Sequence, residues 1–194
     1  MMGMERAIKI AFDCLAALCL SLVLLPFWLL IAVGIKIDSP GPALFLHERP
    51  GYRRRPFRVL KFRTMRLGSE QMVDGREVTS GDERVTRLGR FLRRTKLDET
   101  PQLLNILRLE MSLVGPRPER MSYLSEYTPE ELRRFDMRPG ITGLVQVNGG
   151  IYLPLAERHR LDVYYVDHFS LWLDLRILLK TVAVVLLGEK RFAK

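Results

Sequence analysis

Apolar and polar positions along the chain sort into segments of distinct period. Cys14 to Ile35 is a run of 22 uncharged residues, CLAALCLSLVLLPFWLLIAVGI, which as a helix at about 1.5 Å per residue would be about 33 Å long and could span a bilayer. After the rigid turn SPGPALF, the stretch ALFLHERPGYRRRPFRVLKFRTM reads as two strands around Pro50-Gly51. The second strand alternates Phe57, Val59 and Lys61 against Arg58, Leu60 and Phe62. Leu67 to Gly81 is polar, contains glycine and has no period, so it predicts a mobile loop. Val85, Leu88, Phe91 and Leu92 then recur at helical spacing among arginines and predict a short basic helix. Pro101 opens the next predicted helix, with Thr100 as its N-cap and Leu103, Leu104 and Leu107 as its buried stripe. A capping box from Thr128 to Glu131 starts a predicted surface helix over Pro129 to Asp136, and Leu144 to Val147 reads as a strand. Near the end, Leu171, Leu175, Leu178, Leu179, Val182 and Leu186 keep helical spacing around Asp174 and Lys180. That helix suits a protein core or a membrane surface equally.

Charge changes the reading of the apolar run. Arg6 and Lys9 precede it; Lys36 and eight further cations between Arg49 and Arg66 follow it with no acid among them. Lys- and Arg-rich flanks stay on the cytoplasmic side, so both ends are pulled to one face and a simple span satisfies only one of them. Pro26 disfavours helix at Leu25 and predicts a kink. A re-entrant helix that bends at Pro26 accounts for both features. The Leu22 carbonyl, deprived of its usual donor, would then need a partner such as the Ser21 hydroxyl. An ordinary span with a proline kink is the competing topology. A signal peptide fits less well, because Asp13 and the length of the run oppose it.

The formal charge of +9 points to phosphate in some form: nucleic acid, anionic lipid or a phosphorylated substrate. Cys14 and Cys19 are no disulfide framework, and His47, His159 and His168 are scattered, so no histidine and cysteine metal site is expected. No glycine-rich phosphate loop and no Ser/His/Asp set occurs. The exposed aromatic interleaving of single-strand binders is missing, so no nucleic acid is expected as partner.

The adjacent acids Asp98 and Glu99, in RRTKLDETPQLLN, are the remaining chemical signal. Beside a helix N-terminus and Arg90, Arg93, Arg94 and Lys96, the charged form of Asp98 should be favoured, which suits a nucleophile or a metal ligand. Arg63, Arg117 and Arg138, each on a strand end or a proline-stiffened turn, offer forks for a diphosphate. Phosphoryl transfer, mostly positioning and charge neutralisation, needs little more. On residues alone, a solvated salt-bridge cluster is as good an account of the pair.

The order of motifs goes further. FD at Phe12, the proline-broken run, SPGPALF, RPG, KFRTM, RLGRFLRRTKLDETPQLLNIL, MSLVGPRPE, RPGITGLVQVNG and DVYYVDHFSLWLDLRILLKT together resemble the bacterial sugar transferases called monotopic phosphoglycosyl transferases, from about residue 6 to 188. The resemblance implies a mainly helical α+β fold. Residues 1–38 would form the re-entrant membrane helix kinked at Pro26. Residues 39–194 would form a single small cytoplasmic catalytic domain with a short β-hairpin and interfacial amphipathic helices. It implies transfer of a sugar phosphate from a UDP-sugar to polyprenyl (undecaprenyl) phosphate, with release of UMP, as the first membrane step of glycoconjugate, lipopolysaccharide or exopolysaccharide assembly at the cytoplasmic face of the bacterial inner membrane. Asp98 would be the catalytic nucleophile that carries a covalent phosphosugar, and Glu99 the ligand of Mg2+. Lys61, Arg63, Arg93, Arg117 and Arg138 would bind the phosphates. A homo-oligomer is left open. The alternative is a basic membrane-associated module that binds anionic lipid or nucleic acid. The sequence departs from the family pattern at Leu25, where serine is usual, at Thr100 in LDETPQL for the usual LDELPQL, and at Leu109-Glu110 for the usual Gly-Asp.

Overall fold

A computed structural model describes residues 2–69 and 82–193. The predicted loop at 67–81 therefore lies, from residue 70 onward, outside the described residues. Helix α1 (Met2–Asp38) is followed by strands β1 (Leu44–Pro50) and β2 (Pro56–Phe62), helix α2 (Arg87–Thr95), a 3₁₀ turn (Leu97–Gln102) and the short helix α3 (Leu103–Leu107). Then come β3 (Ser112–Val114), β4 (Gly140–Thr142) and the helices α4 (Leu155–Asp167) and α5 (Leu171–Leu187). The architecture is mainly helical, with the expected small antiparallel hairpin of β1 and β2.

Pro26 lies inside α1 without ending it. One face of the helix is turned to the domain through Lys9, Asp13, Ala17 and Ser21, at steps of four, then Trp28 and Ile35. At its N-terminal end the face is polar. Lys9 Nζ donates to Asp174 on α5 at 2.6 Å and lies 3.5 Å from Asp13, which accepts from the Ser112 hydroxyl on β3. Further along it is apolar: Ala17, Leu24 and Trp28 pack with Phe57, Val59, Leu103, Ile106 and Met111, and Ile35 packs with Phe62 and Leu92. The rest of the circumference is apolar and exposed, including Phe12, Leu15, Leu22, Val23, Phe27, Leu30 and Val33. The Ser21 hydroxyl does not serve the Leu22 carbonyl as expected; among the described residues its Oγ is buried without a partner.

Asn105, fully buried, ties α3 to the hairpin. Its Oδ1 accepts from Leu60 N at 3.0 Å, and its Nδ2 donates to the Arg58 carbonyl at 2.8 Å and to Glu110 at 2.7 Å. The motifs MSLVGPRPE and RPGITG prove to be one unit, a parallel pair in which Ser112 lies opposite Gly140 and Val114 opposite Thr142. The two backbones approach so closely that a Cβ on Gly115, Gly140 or Gly143 would collide with the facing main chain. The strand expected at Leu144 to Val147 is therefore displaced. Pairing ends at Thr142, and Gln146–Asn148 is a 3₁₀ turn.

The helix expected at the surface over Pro129 to Asp136 is a 3₁₀ segment, Glu131–Asp136, and it is not a purely surface element. Its capping box forms, with Thr128 N donating to Glu131 at 2.8 Å. Arg134, however, is 2 % exposed. Its guanidinium donates to Glu119 at 2.7 Å, to Asp162 on α4, to the Tyr127 hydroxyl and, at 2.9 Å, to the Arg117 carbonyl. His159 joins the same cluster through Glu119 and Glu131. Burial would cost Glu119 its charge, but the His159 and Arg134 contacts outweigh it and hold the carboxyl at about 2. Removing the guanidinium would leave two acids buried without their counter-ion. Arg134→Ala should accordingly lose about 3 to 5 kcal/mol of stability, checked by denaturant unfolding in detergent.

Candidate active site

The acid pair sits at a bend. α2 is N-capped by Thr86, whose hydroxyl accepts from Gly89 N at 3.0 Å, and it ends at Lys96, which takes the left-handed φ of 59°. The chain then tightens into the 3₁₀ turn, with Asp98 and Glu99 in its first turn. Pro101 lies inside that turn, so Thr100 is not the cap of a new α-helix. Its hydroxyl instead donates to the Leu97 carbonyl at 2.7 Å and accepts from the Trp28 indole at 2.9 Å.

Three of the cations singled out in the sequence converge here. Lys61, near the end of β2, donates to Glu99 Oε1 at 2.6 Å, and Arg117, on the turn after β3, donates to the same oxygen at 3.0 Å. Arg93 on α2 donates to the Thr64 hydroxyl at 2.8 Å and acts on both acids by its charge. Lys96 also bears on Asp98, and its ammonium is held at 2.9 Å by Glu189, whose charge reaches Arg117. Glu189 gave no signal in the sequence: it is a single acid in a C-terminal segment that only the fold brings to the site. Arg49 and Arg120 extend the positive field. Burial followed by the charges of Arg117 and Arg120 lowers Arg49 to about 10. Burial with Arg49, Arg120 and Lys61 lowers His47 to about 4, which leaves that ring neutral.

The remaining two arginines lie elsewhere. Arg63 is buried, and its guanidinium donates to the carbonyls of Ser39 and Pro40, fastening the C-terminal end of α1 to the hairpin. Arg138 donates to the Leu109 carbonyl at 2.8 Å and stands 5.8 Å over the Tyr52 ring. It lines a cavity of about 160 Å³ with Arg6, Lys9 and Asp13 at the other end of α1. The departure at Leu109 also resolves. Its φ is 60°, the left-handed region that favours glycine, so the turn is kept here at a steric cost.

The two acids differ in state. Burial would raise Glu99, but Arg117 and Lys61 outweigh it and hold the carboxyl well below the usual range. Asp98 goes the opposite way from its expected direction. Burial first, then the adjacent Glu99 charge, push it up to about 6 against Lys61, Arg93 and Lys96. Asp98 is 9 % exposed, and among the described residues its Oδ1 is buried with no hydrogen-bond partner. The anion still predominates at neutral pH, now as an under-solvated one with a free oxygen. A buried carboxylate oxygen without a partner is a candidate nucleophile or ligand; the Arg134 cluster leaves one too, at Asp162 Oδ1, so it is the adjacent Glu99 and the surrounding cations that set Asp98 apart.

Comparison with known proteins supplies the family. The family model described as bacterial sugar transferase matches residues 4–188, and the chain belongs to that family. It is similar to the UDP-glucose:undecaprenyl-phosphate glucose-1-phosphate transferase of Caulobacter vibrioides, at 44% identity over 95% of this chain and 72% of the relative. It is 42% identical to the UDP-N-acetylgalactosamine-undecaprenyl-phosphate N-acetylgalactosaminephosphotransferase of Aeromonas hydrophila, over 93% of this chain and 44% of that protein. It is also 42% identical to the exopolysaccharide production protein PSS of Rhizobium leguminosarum bv. phaseoli, over 97% of this chain and 100% of the relative. The chain thus spans under half of one of these relatives and all of another. Family membership makes it a transferase enzyme, and the purely binding role falls away.

The raised pKa of Asp98 has a consequence for stability. Its ordinary value when unfolded is near 3.9, so the folded state holds the proton more tightly. Stability then falls as pH rises from about 4 through about 6 and is level above that. Asp98→Asn should stabilise the protein by up to about 3 kcal/mol at pH 8, with the gain shrinking towards pH 4.5, as read from urea midpoints at the two pH values.

Proposed function

We propose that the protein transfers a sugar phosphate from a UDP-sugar to polyprenyl phosphate, releasing UMP. The observation that carries this reading is the unequal acid pair: Glu99 is neutralised by Lys61 and Arg117, while Asp98 is buried with an unpartnered oxygen. The relatives named for undecaprenyl-phosphate and UDP-sugar substrates support it, and the Rhizobium protein's name supports a place in exopolysaccharide production.

The Asp98 carboxylate attacks the sugar-linked phosphorus of the UDP-sugar. The new bond to Asp98 forms as the bond to the UMP oxygen breaks, and UMP leaves with that oxygen. An oxygen of the polyprenyl phosphate then attacks the same phosphorus, freeing Asp98 as carboxylate and yielding polyprenyl-diphosphate-sugar. Two easier steps replace one. Lys61, Arg93 and Arg117, with Arg49 and Arg120 behind them, hold the diphosphate and offset its charge. The site fits magnesium, which keeps most of its waters and needs only one or two carboxylates. Glu99 would hold it through the oxygen that Lys61 and Arg117 leave over, and the ion would supply further neutralisation of the phosphates.

The geometry of α1 supports a membrane arrangement. It touches one globular body from Lys9 to Asp38, roughly 43 Å of helix at about 1.5 Å per residue, which exceeds a hydrocarbon core of about 30 Å. An upright crossing would drag the hairpin and α3, which pack on the middle of α1, into lipid. A re-entrant α1 at the cytoplasmic face of the inner membrane, with Pro26 deepest, keeps them in water. α5 adds an exposed apolar side through Trp172, Leu179 and Leu186, suited to the interface.

Purified protein given a panel of UDP-sugars, polyprenyl phosphate and magnesium should release UMP with at least one sugar. Asp98→Asn should reduce that rate at least about a thousandfold and Glu99→Gln severely; full turnover by Asp98→Asn would sink the nucleophile assignment. For topology, single cysteines placed at Met4 and Lys36, in a variant with Cys14 and Cys19 replaced, should both label from the cytoplasmic side. Labelling from opposite sides would make α1 a true span.

A further inference from the structure

Between Ala17 and Ile35, Trp28 makes the one side-chain hydrogen bond of α1 among the described residues, and that bond ends in the catalytic turn. An indole N–H can only donate, so the direction is fixed without choosing a tautomer: Trp28 Nε1 to Thr100 Oγ1 at 2.9 Å, then Thr100 Oγ1 to the Leu97 carbonyl at 2.7 Å. Asp98 and Glu99 are the two residues enclosed between Leu97 and Thr100. Trp28 lies two positions after Pro26 and packs against both apolar clusters beneath α1, so its ring is held independently of the bond. Leucine, the usual residue at position 100 in the family pattern, has no atom that could accept from the indole.

We infer that the Trp28 to Thr100 hydrogen bond is a positioning link that fixes the acid-bearing turn against the membrane helix, and so sets the height of the Asp98 carboxylate at the lipid surface. This rests on the transfer reading given above. In that reading the nucleotide sugar arrives from water and can follow the turn, whereas the lipid phosphate is held at the depth of the membrane interface. Loss of the link should therefore weaken the second transfer, to lipid, more than the first. Trp28 and Thr100 touch no reacting atom; they act through the backbone of Leu97 to Thr100.

The test uses the full-length protein in lipid nanodiscs with a UDP-sugar it turns over. Thr100→Val, which keeps the shape but loses the hydroxyl, should lower kcat with polyprenyl phosphate about five- to twentyfold while kcat/KM for UDP-sugar, which reports the first transfer alone, stays within about twofold. Thr100→Ser should restore kcat. Trp28→Phe should match Thr100→Val, and the double variant should be no slower than either single one, because both remove the same bond. Equal melting temperatures exclude a folding defect, and the indole N–H resonance of Trp28, assigned by its loss in Trp28→Phe, should move in Thr100→Val and not in Thr100→Ser. Unchanged kcat in Thr100→Val, losses that multiply in the double variant, or no rescue by serine would each overturn the inference. If the wild type releases no UMP from any UDP-sugar, the functional reading itself falls. Turnover by wild type and Thr100→Val alike overturns the positioning link alone.

Discussion

Two adjacent carboxylates can be buried together only if cations are delivered to them, and the fold is arranged around that delivery. Glu99 receives Lys61 from the hairpin and Arg117 from the turn after β3, two segments distant in sequence from each other and from the acid. Arg117 is itself held through its carbonyl by Arg134, whose charge is in turn balanced by Glu119 and Asp162. With Glu99 settled, the field left over acts on Asp98, whose anion is opposed by burial and by the Glu99 charge and has one oxygen without a protein partner among the described residues. Such a group is costly in the resting protein, and the bond to phosphorus proposed above would relieve that cost.

Much of this was visible in the residues, for reasons that differ from place to place. Period and turn chemistry located the hairpin, because Pro50-Gly51 and the strand alternation are local signals. The uncharged run marked α1, and the order of motifs marked Asp98, Glu99, Lys61, Arg93 and Arg117. What escaped was set by long-range contact. Arg134 looked like a surface cation since nothing nearby in sequence announces that Glu119 and Asp162 will close on it. Arg63 has the same chemistry as Arg117, yet it is drawn to the carbonyls at the end of α1. The direction of the Asp98 shift was missed because neighbouring cations are readable in a sequence and desolvation is not.

The departures from the family pattern also divide by cause. Leu109 occupies a left-handed position that a glycine would hold without strain, so that turn is kept in spite of its residue. Thr100 replaces an apolar side chain and gains a hydrogen-bonding partner in Trp28. Leu25 has no counterpart contact that explains it.

The parallel pairing of β3 with β4 carries a consequence for how the site comes into being. The two strands meet only after the intervening chain, which carries Arg117, Glu119, Tyr127 and Arg134, has been closed into a loop. Loop closure must be met before such a pairing stabilises anything, and contacts of this span form slowly. The β-hairpin and α1 are local and can form early, so the nascent protein would reach the membrane with its acids in place and Arg117, one of the two cations bonded to Glu99, still missing. Catalytic competence would then trail behind membrane association, governed by the docking of three glycines against a facing backbone.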